Sequence, residues 1–194
     1  MDLQFVSRWG KSDHLDYTSA SRLLVTPLPC LLPLRDSVRR FHIAIEGAAG
    51  AGKTRLIRTL QGDAGGPEYQ PTHGVAVHQV KLEVLYSGEV KPCLLYLWEY
   101  GTYYSRKYDY IQESVGPQDA CIHVLSILDR DSFEELVERK DRPSQYSCVY
   151  LSKTDLSVQT NVFPAEIQKL RRDVFVEAKV MLLHLCGRLL ELSC

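Results

Sequence analysis

The sequence carries almost no excess charge of either sign. Lys and Arg together number 23 and Asp and Glu number 24, so the formal net charge of the 194 residues is -1. A protein that binds DNA or anionic lipid without sequence preference needs a basic surface that neutralises phosphates. The balanced composition argues against a nucleic-acid-binding protein. The hydrophobic fraction of 45% is that of a folded domain and argues against long-range disorder.

Long apolar runs are also missing. No stretch reaches the ~20 apolar residues that a membrane-spanning helix needs. The apolar segment 23–34 contains Pro27, Pro29 and Pro33, which prevent a continuous helix or a signal-peptide core. We therefore expect no direct insertion into a membrane.

The six cysteines lack the spacing of a metal or redox motif, because no two of them lie within four residues of each other. Those in apolar runs are interpreted as reduced core thiols of a cytoplasmic protein. No cysteine stands at the position of a C-terminal prenylation box, so we expect no lipid anchor and contact with membranes only through a partner. The six histidines show no metal-ligand spacing either. The cysteines are Cys30, Cys93, Cys121, Cys148, Cys186 and Cys194, and the histidines are His14, His42, His73, His78, His123 and His184.

Two parts of the chain differ in pattern. Residues 1–40 are rich in Ser, Pro and Leu without a sustained period, and are interpreted as an N-terminal extension. Residues 41–194 alternate between short apolar strands and amphipathic helices, which predicts an α/β fold in three layers with a mostly parallel sheet of about six strands. The predicted strands are 41–45, 75–86, 94–98, 120–128, 147–151 and 174–176, and the predicted helices are 53–60, 132 onward, 164–171 and 179–192.

The helix that begins near residue 132 has the pattern of a capping box. Ser132 is the predicted N-cap and Glu135 stands three residues later. The same segment predicts that Phe133, Leu136 and Val137 face inward.

One motif points to a ligand. The segment 47–54 reads Gly-Ala-Ala-Gly-Ala-Gly-Lys-Thr and fits G-x-x-x-x-G-K-[ST] in full, between a buried strand and an amphipathic helix. Backbone N–H groups of such a loop surround phosphates at a helix N-terminus, the lysine reaches the β- and γ-phosphates, and the hydroxyl binds Mg²⁺. The sequence therefore predicts a nucleoside triphosphate site of the P-loop type. The predicted contacts are Gly47, Ala49, Gly50, Ala51, Gly52, Lys53 and Thr54.

Two later segments favour guanine as the base. Ser152-Lys153-Thr154-Asp155 follows a predicted strand and matches the [NT]-K-x-D pattern of guanine-binding loops except at the serine. A carboxylate at Asp155 can accept hydrogen bonds from N1 and N2 of guanine, which adenine does not offer. The aliphatic part of the Lys153 side chain would lie along the face of the base. Because Ser152 stands where asparagine is usual, we expect part of the support of this guanine-binding loop to be lost. Ala178 and Lys179 resemble the S-A-K turn that contacts guanine O6. The predicted ligands are GTP or GDP with Mg²⁺.

The segments that would sense and hydrolyse the γ-phosphate depart from the usual pattern. Thr72 stands in a P-T-x-G sequence, where it would bind Mg²⁺, and the amide of Gly101 would meet the γ-phosphate. Glu99 replaces the usual metal-supporting Asp, and Thr102 stands where a water-orienting Gln is expected. Ala49 replaces a glycine that leaves room for an arginine finger. These departures predict that a triphosphate is bound and that hydrolysis is slow.

Several of these segments together resemble the Rab-like small GTPases of the ciliogenesis and planar polarity effector (CPLANE) complex. The resemblance covers about residues 30–192. It implies a Ras-like fold and a GTP-dependent partner of scaffold subunits, which acts in the cytoplasm at the basal body in cilium assembly. The segments are 97–101, 107–109, 119–120, 129–136 and 152–155.

Two other functions stay open at this point. A pseudo-GTPase locked in one state is favoured by Glu99, Thr102 and Ser152, whereas a small ATP-dependent kinase is disfavoured by Asp155. The tyrosines near the third strand form either a partner surface or packing that fills a groove. They are Tyr100, Tyr103, Tyr104, Tyr108 and Tyr110.

Overall fold

The computed structural model describes residues 38–63, 71–72, 74–101, 117–138, 146–162, 164–167, 170 and 172–193. The predicted extension, residues 1–40, lies almost entirely outside this part of the chain. The first strand begins at Arg39, two residues before the predicted strand 41–45.

Six strands form one sheet with the order β2-β3-β1-β4-β5-β6. Strand β2 runs antiparallel to β3, and the other neighbours are parallel. The predicted mostly parallel sheet of six strands is thereby confirmed. The strands are β1 Arg39–Glu46, β2 Val75–Tyr86, β3 Glu89–Tyr100, β4 Ala120–Ser126, β5 Tyr146–Ser152 and β6 Asp173–Phe175.

Helices cover both faces of this sheet. Helices α1 and α4 share one apolar cluster with β1 and β4, whereas α2 packs in a second cluster against the other face. The spacing of Leu56, Ile57 and Leu60 explains why α1 buries a single stripe. Within the described part of the chain, every helix is too short or too polar to span a bilayer. The helices are α1 Lys53–Gln61, α2 Arg130–Glu138, α3 Pro164–Ile167 and α4 Ala178–Leu192, and a 3₁₀ segment spans Thr154–Gln159.

A tight hairpin joins β2 to β3. Ser87 and Gly88 have φ angles of 52° and 80°, the two left-handed residues of a twist-compatible two-residue turn. The predicted strand 94–98 is therefore only the middle of a longer strand that begins at Glu89. The pairing runs without a bulge, so Val77 points to the face opposite Val80 and is exposed.

The start of α2 differs from the prediction. The helix begins at Arg130, and Asp129 caps it: the backbone N–H and the hydroxyl of Ser132 donate to the Asp129 carboxylate at 3.1 and 2.6 Å. Ser132 is thus the third helical residue and not the N-cap. Phe133 and Leu136 are buried as predicted, but Val137 is 37% exposed.

Strand β1 lies between β3 and β4, at the point where the chain changes its direction of winding. In α/β sheets of this kind, ligands bind in the crevice outside the carboxyl ends of the strands at such a point. The segment that follows β1 at this edge is the glycine-rich loop, residues 47–54. The fold therefore places the loop where a ligand crevice is expected.

Candidate functional site

The glycine-rich loop leaves β1 in a backbone conformation that a side chain would disrupt. Gly47 has a φ of +144°, and a Cβ atom at this position would lie 2.2 Å from the carbonyl oxygen of Val124 on β4. Gly52, with a φ of 103°, is the left-handed N-cap of α1. The loop therefore turns closely over β4 and leads directly into a helix N-terminus, where backbone N–H groups favour an anion.

Lys53 folds back across this loop. Its Nζ donates hydrogen bonds to the carbonyl oxygens of Gly47 and Ala48 at 2.7 and 2.9 Å, and the residue is buried. Burial lowers the pKa of Lys53, and the nearby Glu99 carboxylate opposes that shift. The ammonium group of Lys53 is thus held against the loop, where it can contact the oxygens of a bound phosphate.

The three residues predicted to hold Mg²⁺ meet beside the loop. Glu99 Oε1 accepts hydrogen bonds from the hydroxyls of Thr54 at 2.5 Å and Thr72 at 3.0 Å, and the two hydroxyl oxygens lie 3.4 Å apart. Glu99 is only 2% exposed. His78 was not singled out from the sequence, yet its Nε2 lies 3.3 Å from Glu99 Oε2. It reaches the site because β2 pairs with β3.

This oxygen set fits magnesium in chemistry and in spacing. Mg²⁺ takes oxygen ligands at about 2.0–2.1 Å in an octahedral arrangement, so neighbouring ligands lie roughly 3 Å apart. The separations from 2.5 to 3.4 Å among Thr54, Thr72 and Glu99 bracket that value. Because glutamate is one methylene longer than the usual aspartate, the Glu99 carboxylate reaches the hydroxyls of Thr54 and Thr72 directly.

Gly101 holds the Thr72 segment against β3. Its backbone N–H donates to the carbonyl oxygen of Gly74 at 2.8 Å, and a Cβ atom at Gly101 would lie 2.2 Å from the Thr72 carbonyl oxygen. This amide, predicted to meet a γ-phosphate, is therefore engaged within the chain, and a contact with phosphate requires Gly74 to shift.

Of the tyrosines that the sequence singles out near the third strand, only Tyr100 is among the described residues. Thr102 and the tyrosines 103, 104, 108 and 110 lie outside the described residues. Tyr100 is buried and its hydroxyl accepts a hydrogen bond from the side-chain amide of Gln118. Tyr100 therefore fills the interior and does not contribute to a partner surface.

Ser152 links the end of β5 to the glycine-rich loop. Its hydroxyl donates to the carbonyl oxygen of Ala51 at 2.5 Å and lies 3.3 Å from that of Leu125. Ser152 is buried. A serine at this position thus still ties the segment after β5 to the glycine-rich loop. Its single hydroxyl proton supports only one of these two hydrogen bonds at a time.

The other residues predicted to read the base lie at the same edge of the sheet. Lys153 is exposed in a left-handed conformation with a φ of 58°, and Asp155 is exposed at the start of the 3₁₀ segment. Ala178 and Lys179 begin α4 directly after β6. Because β5 and β6 are parallel neighbours, both segments leave the sheet at the edge that carries the glycine-rich loop. The predicted site residues therefore gather at one edge.

The sequence analysis did not identify one buried polar cluster on β1 and β4. Glu46, Cys121 and His123 lie side by side on β1 and β4 and are all buried. The available signal was the alternation of Cys121 and His123, which places both on one face of a strand. Glu46 joins them only through the pairing of β1 with β4, which no single segment encodes.

The similarity of this chain to known proteins is partial. No known protein-family profile matches the sequence. The chain is 28% identical over 153 residues to the Xenopus laevis protein named Ciliogenesis and planar polarity effector 2. The matched region covers 74% of this chain and 61% of that protein. The chain is thus similar to this effector over most of its own length and over less than two thirds of the effector's length.

Proposed function

We propose that this chain is a GTP-binding, small-GTPase-like molecular switch with a Ras-like P-loop domain, Mg²⁺ dependence and slow GTP hydrolysis. The observation that carries the proposal is the convergence of the Thr54, Thr72 and Glu99 oxygens, within 3.4 Å, next to a glycine-rich loop spanned by Lys53. Hydroxyls from two separate segments meet one buried carboxylate beside a site suited to phosphates.

In this proposal, each group at the edge of the sheet has one task. The loop amides and Lys53 bind the phosphates, and Thr54, Thr72 and Glu99 hold Mg²⁺, which neutralises phosphate charge. Lys153 and Asp155 bind the guanine, with Ala178 and Lys179 alongside, and Ser152 holds their loop to Ala51. The Gly101 amide is hydrogen-bonded to Gly74, so a shift of one segment would be passed to the other. Ordering of these segments by the γ-phosphate would create the surface for an effector.

The residues around the proposed phosphate site are the reason for expecting slow hydrolysis of GTP. Ala49 stands exposed where a small GTPase has a glycine, so its methyl group would obstruct an arginine finger. The Glu99 carboxylate is engaged by two hydroxyls, which alters the usual support of the metal. The sequence also offers no glutamine after Gly101 to orient a water.

The cellular role proposed for the switch is in cilium assembly and planar polarity. Similarity to Ciliogenesis and planar polarity effector 2 supports this role. The partners would be scaffold proteins of a CPLANE-like complex in the cytoplasm at the base of the cilium. The balanced charge supports recognition through a protein and not through nucleic acid or an anionic membrane.

Competition between GTP and ATP tests the guanine site. The wild type is expected to prefer GTP, and Asp155→Ala is expected to reduce that preference roughly 100-fold or more, because two charge-assisted hydrogen bonds to guanine are lost. Glu89→Ala is the control, since it removes an exposed carboxylate at the hairpin, at the opposite end of β3. An unchanged GTP preference in Asp155→Ala rejects the guanine assignment, and a preference for ATP favours a kinase.

A pseudo-GTPase that serves as a structural subunit is the second candidate. The observation that favours it is the mutual satisfaction of the polar groups: Lys53 binds loop carbonyls, the two threonines bind Glu99, and Gly101 binds Gly74. Nucleotide released by denaturing the purified protein separates the two candidates. A switch is expected to carry about one GDP or GTP per chain and to be stabilised by added nucleotide with Mg²⁺, whereas an empty protein that neither nucleotide stabilises is a pseudo-GTPase.

A further inference from the structure

His78 brings an imidazole ring to the buried carboxylate of Glu99. In the antiparallel pairing of β2 with β3, the residue directly opposite Glu99 is Ala76. The methyl group of Ala76 offers the carboxylate no hydrogen bond. His78 stands two residues further along β2, on the same face of the sheet, and is therefore the diagonal neighbour whose side chain can reach Glu99.

The imidazole ring presents a buried polar atom to the site. Nε2 of His78 is buried and makes no hydrogen bond to any residue of the described ranges, yet it lies 3.3 Å from Oε2 of Glu99. An unprotonated nitrogen would direct its lone pair at the carboxylate oxygen, which repels it. In this position the ring therefore carries a proton on Nε2, and a small rotation of the ring brings the N–H onto Glu99.

The two oxygens of the Glu99 carboxylate have different neighbours. Oε1 accepts hydrogen bonds from the hydroxyls of Thr54 and Thr72, whereas Oε2 faces His78. A buried carboxylate is costly unless donors satisfy it, and Glu99 is buried. A donor on Oε2 also hinders rotation of the carboxylate, so that Oε1 stays directed at the two hydroxyls.

We propose that His78 is a positioning residue for Mg²⁺: its Nε2–H donates to Oε2 of Glu99 and so holds Oε1 toward the two threonine hydroxyls. His78 gains this role only if the proposed function holds, since the metal belongs to that function. Its ring acts through Glu99 and is not itself a ligand. Removal of a hydrogen-bond partner of a metal ligand typically lowers metal affinity about 10–100-fold.

The protonation of the His78 ring gives a test that needs neither metal nor nucleotide. Two-dimensional ¹H–¹⁵N NMR of the metal-free full chain, with the ring signals assigned through the backbone of His78, distinguishes a protonated from an unprotonated Nε2. We expect the proton on Nε2 in the wild type. An unprotonated Nε2 overturns the proposal, and this readout holds even if a variant at His78 does not fold.

Mn²⁺, which suits the same oxygen ligands as Mg²⁺, measures the effect on the metal site. Electron paramagnetic resonance of the full chain with GDP gives the amount of bound Mn²⁺. We expect His78→Leu to weaken Mn²⁺ binding about 10-fold or more, whereas His78→Gln, whose amide N–H can donate to the same oxygen, stays within about 3-fold of the wild type. Gln79→Leu is the control, because Gln79 is the exposed neighbour on the opposite face of β2, and we expect no change.

The Mn²⁺ results also separate the role of His78 from the proposed function. A wild type that binds no Mn²⁺, with or without GDP, rejects the proposed metal site and with it this role. Equal Mn²⁺ affinities in the wild type and His78→Leu overturn the role of His78 and leave the metal site standing. Equal losses in His78→Leu and His78→Gln also overturn it, because they mean that the ring acts by packing and not as a donor.

Discussion

At the scale of single residues, two departures from the usual sequence pattern are accommodated by direct contacts. Ser152 replaces an asparagine, yet its hydroxyl reaches the carbonyl of Ala51 in the glycine-rich loop. Glu99 replaces an aspartate, and its extra methylene brings the carboxylate onto the hydroxyls of Thr54 and Thr72. A sequence motif specifies residue types and not the distance that a side chain spans. Comparison with the motif therefore predicts a lost contact at both positions.

The glycine at the start of the loop is the residue for which we expect the largest effect on stability. Gly47→Ala adds a Cβ atom 2.2 Å from the Val124 carbonyl oxygen at a φ of +144°, so the chain must both strain and shift. We expect the free energy of unfolding to fall by roughly 3 kcal/mol or more. Equilibrium denaturation in urea measures the change.

Gly50→Ala is the matched control in the same loop. Its φ is +68°, but nothing lies within 4 Å of an added Cβ atom, so only the left-handed backbone penalty of about 1–2 kcal/mol remains. Equal losses in the two variants would contradict the assignment of the Gly47 effect to contact with β4.

At the scale of helices and strands, periodicity located most elements and failed at their ends. All six predicted strands and the helices at 53–60 and 179–192 are present, with ends shifted by one or two residues except in β3, which begins five residues before the predicted strand. The start of α2 was misplaced because Asp129 and Ser132 are both residues that cap helices, and only the backbone path decides between them. The β2–β3 hairpin was missed although its Ser87-Gly88 pair is a turn signal.

The cap of α2 gives a direct test at this scale. Asp129→Ala is expected to reduce the free energy of unfolding by about 1 kcal/mol, because the carboxylate accepts the Ser132 N–H at 3.1 Å. Ser132→Ala removes only a hydroxyl that donates to the same carboxylate, so we expect a loss of less than half as much. A larger loss for Ser132→Ala, measured by thermal or chemical denaturation, would restore the predicted capping box.

At the scale of the whole molecule, the interior on one face of the sheet holds several neutral thiols. Burial raises the pKa of Cys93 to about 11 and that of Cys148 to about 12. The pKa of Cys186 is also raised by burial. These cysteines pack with β1, β4, α1 and α4 in a single cluster. Cys93 and Cys148 are free and buried, as predicted for core thiols, and Cys186 joins them.

These thiols make the stability of the fold depend on pH in the alkaline range. An unfolded thiol ionises near pH 9.0, whereas Cys148 keeps its proton to about pH 12. The stability that Cys148 contributes is therefore complete below pH 9 and is lost as the pH rises toward 12, at up to ~1.4 kcal/mol per pH unit. Cys148→Ala is expected to show a shallower loss of stability between pH 8.5 and 10 than the wild type, by urea denaturation at each pH.

Val149→Ala is the control for this pH profile. Val149 is the buried neighbour of Cys148 on β5, so its truncation lowers stability without removing an ionisable group. The slope between pH 8.5 and 10 is expected to equal that of the wild type. A slope reduced as much as in Cys148→Ala would mean that loosened packing, and not ionisation of the thiol, sets the alkaline limit.

The sequence by itself determined the class of fold, the strand–helix alternation and the segments that carry the candidate site. Those properties are local: periodicity follows from side-chain burial, and a motif such as residues 47–54 is contiguous. The tertiary structure decided which segments meet. It placed Thr72 and Glu99 against Thr54, tied Ser152 to the loop, and paired Glu46 with His123 in the register of β1 and β4. Strand order and register depend on packing between distant segments, and no single segment encodes them.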